Sequence, residues 1–385
     1  MNGTRTKLLL ISACLGLICP LVTGQALGQS SKSNYVIIGY LPGRDWSKET
    51  VEAEKLTHIN YAFATPSQSG GLNALKSKDA ANLVWLRSLK QKNKNLKILI
   101  SIGGWGGCRY FSDAALTDSS RRKFASSCAS VLKQYKLDGI DIDWEYPAQI
   151  GANNIFRPED KQNYTLLLKV LREKLDEEGE EDGLTATNHY LLTIATGVDS
   201  NFVSHTELGK AQQYLDYINI MTYDIYHGND KVTGHHANLY PSAKGDHSRN
   251  SSDEGVKGHI AAGVPANKIV LGLPFYGRAW ADVEDKDDGL YQPSTGKLFS
   301  PSYDELVDSY INTNGYVRHW DKEAKAPFLW NSQTRTFISY PDPEEFAVKM
   351  DYVKTNGLAG VMFWEYGHDL KHRTLVDTLY QGLRK

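Results

Sequence analysis

From residue 35 onward the chain repeats one pattern, a short apolar run followed by a longer helical stretch. Eight runs qualify, at residues 35–40, 58–64, 97–103, 139–145, 191–197, 217–224, 269–276 and 358–366. They are rich in Ile, Val, Tyr and Phe, and most are almost continuously apolar, as parallel strands buried on both faces should be. Helical patterns lie between them, most clearly at residues 79–92, 119–135, 158–177, 253–262 and 343–355. Strand–helix alternation dictates the α/β class, and eight units predict a closed (β/α)8 TIM barrel over residues 35–385. A doubly wound sheet would carry fewer strands and a glycine fingerprint after the first, and neither is present.

One interval breaks the rhythm. The stretch between the seventh and eighth runs is far longer than one helix needs, and a structureless loop of that length would be unusual. Residues 281–341 are polar and aromatic, and apolar alternation at 315–320 and 334–340 suggests antiparallel strands. We expect a small α+β insertion domain there, standing on the C-terminal face of the barrel. Trp320 and Trp330 are expected to pack within it.

The chain starts with Arg5 and Lys7, an apolar run from Leu8 to Val22, and then the small residues Thr23, Gly24 and Ala26. That order reads as a secretory signal peptide over residues 1–26, and the run is shorter than the ~20 residues a spanning helix needs. The expected location is extracellular, with a membrane-spanning segment absent from the mature chain. A second reading is a lipid anchor at Cys14, because Ile11-Ser12-Ala13-Cys14 resembles a lipobox. Export permits a disulfide between the remaining cysteines, Cys108 and Cys128, and two buried thiols are the alternative. A formal net charge of −2 gives no electrostatic case for nucleic acid. The 22 Tyr and 8 Trp fit either core packing or a groove that stacks rings on sugars.

The strongest local signal is Asp138-Gly139-Ile140-Asp141-Ile142-Asp143-Trp144-Glu145. Side chains alternate along a strand, so Asp141, Asp143 and Glu145 share one face, with neighbours about 6–7 Å apart at Cα. Inside a barrel that face points inward, where three carboxylates are costly unless they share protons, bind a metal or do chemistry. Repulsion pushes their proton affinities apart, which supplies a general acid beside a charged stabiliser. Glu145 falls at the C-terminal end of its strand, where barrel enzymes keep their chemistry. The competing reading, a cation site, lacks a nearby His or a second acidic strand end.

This string resembles the DxxDxDxE signature of glycoside hydrolase family 18. Ser101-Ile102-Gly103-Gly104, Met221-Thr222-Tyr223-Asp224, Gly272 to Arg278 and Gly360 to Trp364 resemble the family's other strand-end motifs in order and spacing. The resemblance covers nearly everything from Tyr35 onward, including the insertion. It implies a chitinase that hydrolyses β-1,4-linked N-acetylglucosamine polymers by substrate-assisted retention, without cofactor or metal, working as a monomer. By that resemblance Glu145 protonates the glycosidic oxygen and later deprotonates water. Asp143 binds the 2-acetamido nitrogen and shares a proton with Asp141, which Tyr40 and Ser101 support from behind. Tyr223 donates to the acetamido oxygen, which is the nucleophile. Asp224 and Arg278 grip the distorted sugar, Trp364 is its floor, and Phe63, Trp105, Tyr146 and Met221 line the rest of the pocket.

Two rival readings stay in the same family. A lectin-like relative would have lost the glutamate or its partner aspartate, and all three carboxylates are present. An endo-β-N-acetylglucosaminidase acting on N-glycan cores commonly lacks the strand-six tyrosine and the insertion. Outside the family motifs, Gly103 to Gly107 lacks the order of a phosphate loop. His235-His236 stands on a polar stretch without a metal-binding context and is expected to be solvated. The acidic run 282–288 fails calcium-loop spacing and is expected at the surface.

Overall fold

The computed structural model describes residues 1, 3, 35–46, 49–228, 230–246 and 249–384. The expected signal peptide and Cys14 lie outside the described residues, Met1 and Gly3 apart. Among the described residues no helix is long and apolar enough to cross a membrane.

Among the described residues thirteen strands are numbered in chain order. Seven come first: β1 (Val36–Pro42), β2 (His58–Ala64), β3 (Lys97–Gly103), β4 (Gly139–Asp143), β5 (Leu191–Gly197), β6 (Tyr217–Met221) and β7 (Ile269–Pro274). Five short ones follow: β8 (Arg278–Trp280), β9 (Leu298–Phe299), β10 (Val317–Asp321), β11 (Ala326–Asn331) and β12 (Thr336–Ser339). The last is β13 (Gly360–Trp364). β1 to β7 pair in parallel, and β13 lies between β7 and β1, closing an eight-stranded barrel. This is the (β/α)8 barrel the sequence predicts.

The bounds of β2, β3 and β5 match the sequence reading. The runs at 139–145, 217–224 and 269–276 stop pairing two or three residues early. Glu145, Tyr223, Asp224 and Tyr276 therefore stand in loops just past their strands.

The near-continuous apolar runs bury both faces against different partners. Ile98, Ile100, Ile140, Ile142, Leu192, Ile194, Ile218, Ile220, Leu271 and Phe363 face outward into the layer shared with the helices. Val36, Ile38, Tyr40, Val270 and Met362 form a separate cluster inside the barrel. The helix Asp118–Tyr135 shows how the outer ring seats itself. Phe124, Cys128 and Leu132, four residues apart, and the pair Ala125 and Ala129 make its buried stripe. Thr117 and Ser120 form its capping box, and Lys136 ends it in the left-handed conformation.

β8 to β12 form an antiparallel sheet in the order β10-β11-β12-β8-β9. Its first strand begins at Arg278, ahead of the boundary at 281 that the sequence suggests. Trp280, Val283, Phe328, Trp330 and Phe337 build its core together with Ile225 and Tyr226, which follow β6. Fully burying a ring such as Phe337 contributes about 2–3 kcal/mol. Trp330 is thus a packing residue, and Trp320 lies under the Arg318 guanidinium, 5.4 Å from its ring centre.

Candidate active site

Asp141 sits fully buried inside the barrel, level with Ser101 on β3 and Thr193 on β5. Its Oδ2 accepts from the hydroxyls of Tyr40 at 2.9 Å and Ser101 at 2.6 Å. Its Oδ1 accepts from Thr193 at 2.5 Å and from the Asn219 amide at 3.3 Å. Burial raises its proton affinity, and these four bonds pull it part of the way back.

One layer higher the supply of donors ends. Asp143 is buried, and its Oδ1 has no hydrogen-bond partner among the described residues. Burial, followed by the charges of Glu145 and Asp141, lifts its carboxyl well above the usual range. Burial, with the charge of Asp224 adding, pushes Glu145 up to about 7. Carboxyls this close and this dry cannot all ionise near neutrality, so a proton is held at the mouth of the barrel.

The backbone around these groups is fixed from behind. Gly103 and Gly104 take φ of 119° and 78°. A Cβ on Gly103 would lie 1.9 Å from the Asp143 carbonyl oxygen, and one on Gly104 would enter the Phe63 ring at 2.5 Å. Cys108 continues the same turn. Its Sγ lies 3.2 Å from the carbonyl oxygens of Gly104 and Asp143 and accepts from the Glu145 amide at 3.1 Å. Cys108 and Cys128 are both free and buried, which decides between the two states the sequence leaves open. Burial pushes both thiols up, keeping them protonated and unreactive.

Above the carboxyls opens a cleft of about 1070 Å³. Glu145, Asp143 and Tyr223 line it, as do Tyr40, Phe63, Trp105, Tyr146, Met221, Asp224, Arg278 and Trp364. Of the residues the sequence assigns to the site, Asp141 and its supporting Ser101 lie beneath this lining. Trp364 stacks on Phe63, with centroids 5.5 Å apart and planes 17° from parallel. Trp105 leaves 58% of its surface exposed beside Tyr146, a large ring open to a flat ligand. Arg278 grips Asp224 through Nε and Nη2, both at 2.7 Å. Burial pushes the Asp224 carboxyl upward, but its contacts with His236 and Arg278 outweigh that and hold it well below the usual range. A fixed ion pair therefore faces a protonatable glutamate across the cleft. Among the described residues no group of three or more metal-ligating side chains is assembled.

The expectation that His235 and His236 are solvated is overturned. They are 0% and 1% exposed, because the sheet β8–β12 covers the loop that carries them. The acidic run does lie at the surface, with Asp285, Asp287 and Asp288 exposed. Thr193 and Asn219 went unnoticed in the sequence. The available signal was a single polar residue at an inward position of an apolar strand. Tyr276 and His368 also line the cleft; Tyr276 falls within the strand-end motif Gly272 to Arg278, whereas nothing in the sequence context of His368 marks it.

A family model described as glycosyl hydrolases family 18 matches residues 36–369. The chain is 39% identical over 437 residues to Chitinase A1 of Niallia circulans, covering 97% of this chain and 62% of that protein. It thus spans less than two thirds of that relative. It is 34% identical over 366 residues to Chitinase 1 of Aphanocladium album, covering 89% of this chain and 82% of the other. Among solved structures, a glycoside hydrolase family 18 N-acetylglucosaminidase from Paenibacillus barengoltzii superposes with a TM-score of 0.84 at 46% identity. That match covers 91% of this chain and 100% of the other. The family model alone accounts for most of the chain, and this chain belongs to glycosyl hydrolases family 18.

Proposed function

We propose that the chain hydrolyses β-1,4-linked N-acetylglucosamine polymers and oligomers, with Glu145 as general acid and then general base. The observation that carries this reading is one juxtaposition. Glu145, pushed up to about 7, stands beside Asp143, whose Oδ1 is buried without a partner among the described residues, in a cleft walled by Trp364 and Phe63. Asp143 offers that oxygen to the N–H of a substrate 2-acetamido group, and the Tyr223 hydroxyl holds the acetamido oxygen against the anomeric carbon. Glu145 gives its proton to the glycosidic oxygen, the carbon–oxygen bond breaks, and the acetamido oxygen closes an oxazolinium ring. Glu145, now a carboxylate, takes a proton from water as that water opens the ring from the opposite face. Asp224 and Arg278 hold the sugar, and Phe63, Trp105, Tyr146, Met221 and Trp364 bound it. The names of the curated relatives support chitin as the polymer.

Two displacements at one carbon retain configuration. Proton NMR of the first product from a chitin oligosaccharide should record the β-anomer, and an initial α-anomer would overturn the mechanism. A second reading, release of single N-acetylglucosamine units, is favoured by the relative that is 46% identical over its full length. A time course on the chitin hexamer separates the two, since internal cleavage gives dimers to tetramers first and terminal cleavage gives monomer and pentamer. The basic and then apolar start of the chain supports export. The protein acts as a monomer in this reading.

A further inference from the structure

The His235-His236 pair takes no part in the mechanism above, yet both side chains are shut inside the molecule. His235 faces the insertion sheet, with Nε2 3.2 Å from Asp321 Oδ2 and its ring edge-on to Tyr291. His236 faces the other way. Its Nδ1 lies 3.8 Å from Asp224 Oδ1, and its ring leans on Tyr276 at 5.3 Å. Neither of its ring nitrogens has a hydrogen-bond partner among the described residues.

The backbone holding this ring leaves it little freedom. The His236 N–H donates to Ser339 Oγ on β12 at 3.0 Å, and its carbonyl accepts from the Ile225 amide at 3.0 Å. One residue on, the fully buried Lys349 donates to the Ala237 carbonyl at 2.5 Å and pairs with Glu345. A buried imidazole with both nitrogens unpaired costs free energy that an apolar side chain of the same size would not. Such a cost points to a partner met in another state of the site. Asp224 is the anion that Nδ1 faces, and Arg278 already bonds both oxygens of that carboxylate, Oδ1 included.

We propose that His236 is a positioning residue for Asp224, its Nδ1–H closing on Oδ1 when substrate draws Arg278 toward the sugar. Asp224 then keeps its orientation while its guanidinium partner is shared. The separation of 3.8 Å is too long for a hydrogen bond, and such contacts commonly tighten only once ligand is bound. Burial drives the imidazole down to about 4, with the nearby Arg278 and Lys349 cations acting in the same direction and Asp224 opposing them. The ring is therefore neutral near pH 7 and carries one proton. With that proton on Nδ1 a donor faces Asp224, whereas on Nε2 a lone pair would face a carboxylate.

The role rests on the proposed function for its kinetic readout and is tested independently of it by the tautomer. Imidazole ¹⁵N NMR of the full chain should find His236 protonated at Nδ1, and an Nε2–H signal would overturn the proposal. His236→Asn puts an amide nitrogen where Nδ1 stands, and His236→Leu keeps bulk without a donor. With a chitin oligosaccharide, the Leu variant should raise KM about tenfold with kcat within about twofold. The Asn variant should stay within about twofold in both. In an Asp224→Ala background the Leu substitution should add nothing. Equal damage from Leu and Asn would mean a packing role, and an unimpaired Leu variant would mean none, and either result overturns the proposal. If the wild-type chain does not cleave the oligosaccharide, the functional reading fails and the tautomer alone decides this one.

Discussion

Two carboxylates separated by one residue, Asp141 and Asp143, live in opposite conditions. Asp141 is met by four donors from four strands. Asp143 is buried as well, at the floor of the cleft, and one of its oxygens is unmet among the described residues. Depth of burial therefore does not distinguish the structural acid from the working one. The number of donors each layer of the barrel supplies does. Saturated, a carboxylate holds strands together, and left short of donors it keeps affinity for a proton or a ligand N–H.

That contrast can be broken by substitution, with the largest effect at the open layer. Glu145→Gln cannot carry a transferable proton, and turnover should fall by about 10²–10⁴-fold or more with the circular dichroism spectrum unchanged. Retained turnover would remove Glu145 from its role. The isosteric pair comes next. Asp143→Asn should lose about 10²-fold in kcat without loss of stability, since its charged form is already disfavoured by burial. Asp141→Asn puts an NH₂ among donors and should lose roughly 1.5–3 kcal/mol in urea denaturation. Similar stabilities for the two variants would erase the distinction.

Smaller effects sharpen it. The general acid must hold its proton, and burial sets Glu145 at about 7, so kcat/KM should fall as pH rises through that value. The charge of Asp224 contributes to that upward shift, so Asp224→Asn should move the basic limb to lower pH. The smallest effect is expected of Thr193→Val. It removes one of the four donors to Asp141 and should cost about 1 kcal/mol, read as a lower urea midpoint at unchanged slope.

Much of this arrangement was legible because barrels turn sequence alternation into depth. Asp141, Asp143 and Glu145 alternate with apolar residues, so a single string announced the layers and their common face. Three strands could be bounded to the residue, two of them closing on a glycine, Gly103 and Gly197. Thr193 and Asn219 stand out locally only as polar residues on apolar strands, and that they serve Asp141 depends on the register between strands, which no local pattern encodes. The histidine pair was misplaced for a related reason. Its polar surroundings suit a loop, and only the return of β12 in the distant insertion buries it. The start of the insertion sheet was hidden by continuity, since Arg278–Trp280 follows the seventh strand after a short turn.

Arg278 has two neighbourhoods at once. It pairs with Ser339 in the register of the insertion sheet, and its guanidinium holds Asp224 at the barrel mouth. The insertion is therefore not a detachable cassette. A recombinant exchanging only the segment after Trp280 would keep the native arginine but hang a foreign strand on it, and each mismatch in that strand would reach the sugar-gripping ion pair as a change of angle. Crossing over before Gly277 transplants the arginine together with its own strand partner. Where a homologous insertion is swapped in, the junction chosen across these few residues decides whether the hybrid inherits one parent's grip on substrate or a compromise between two.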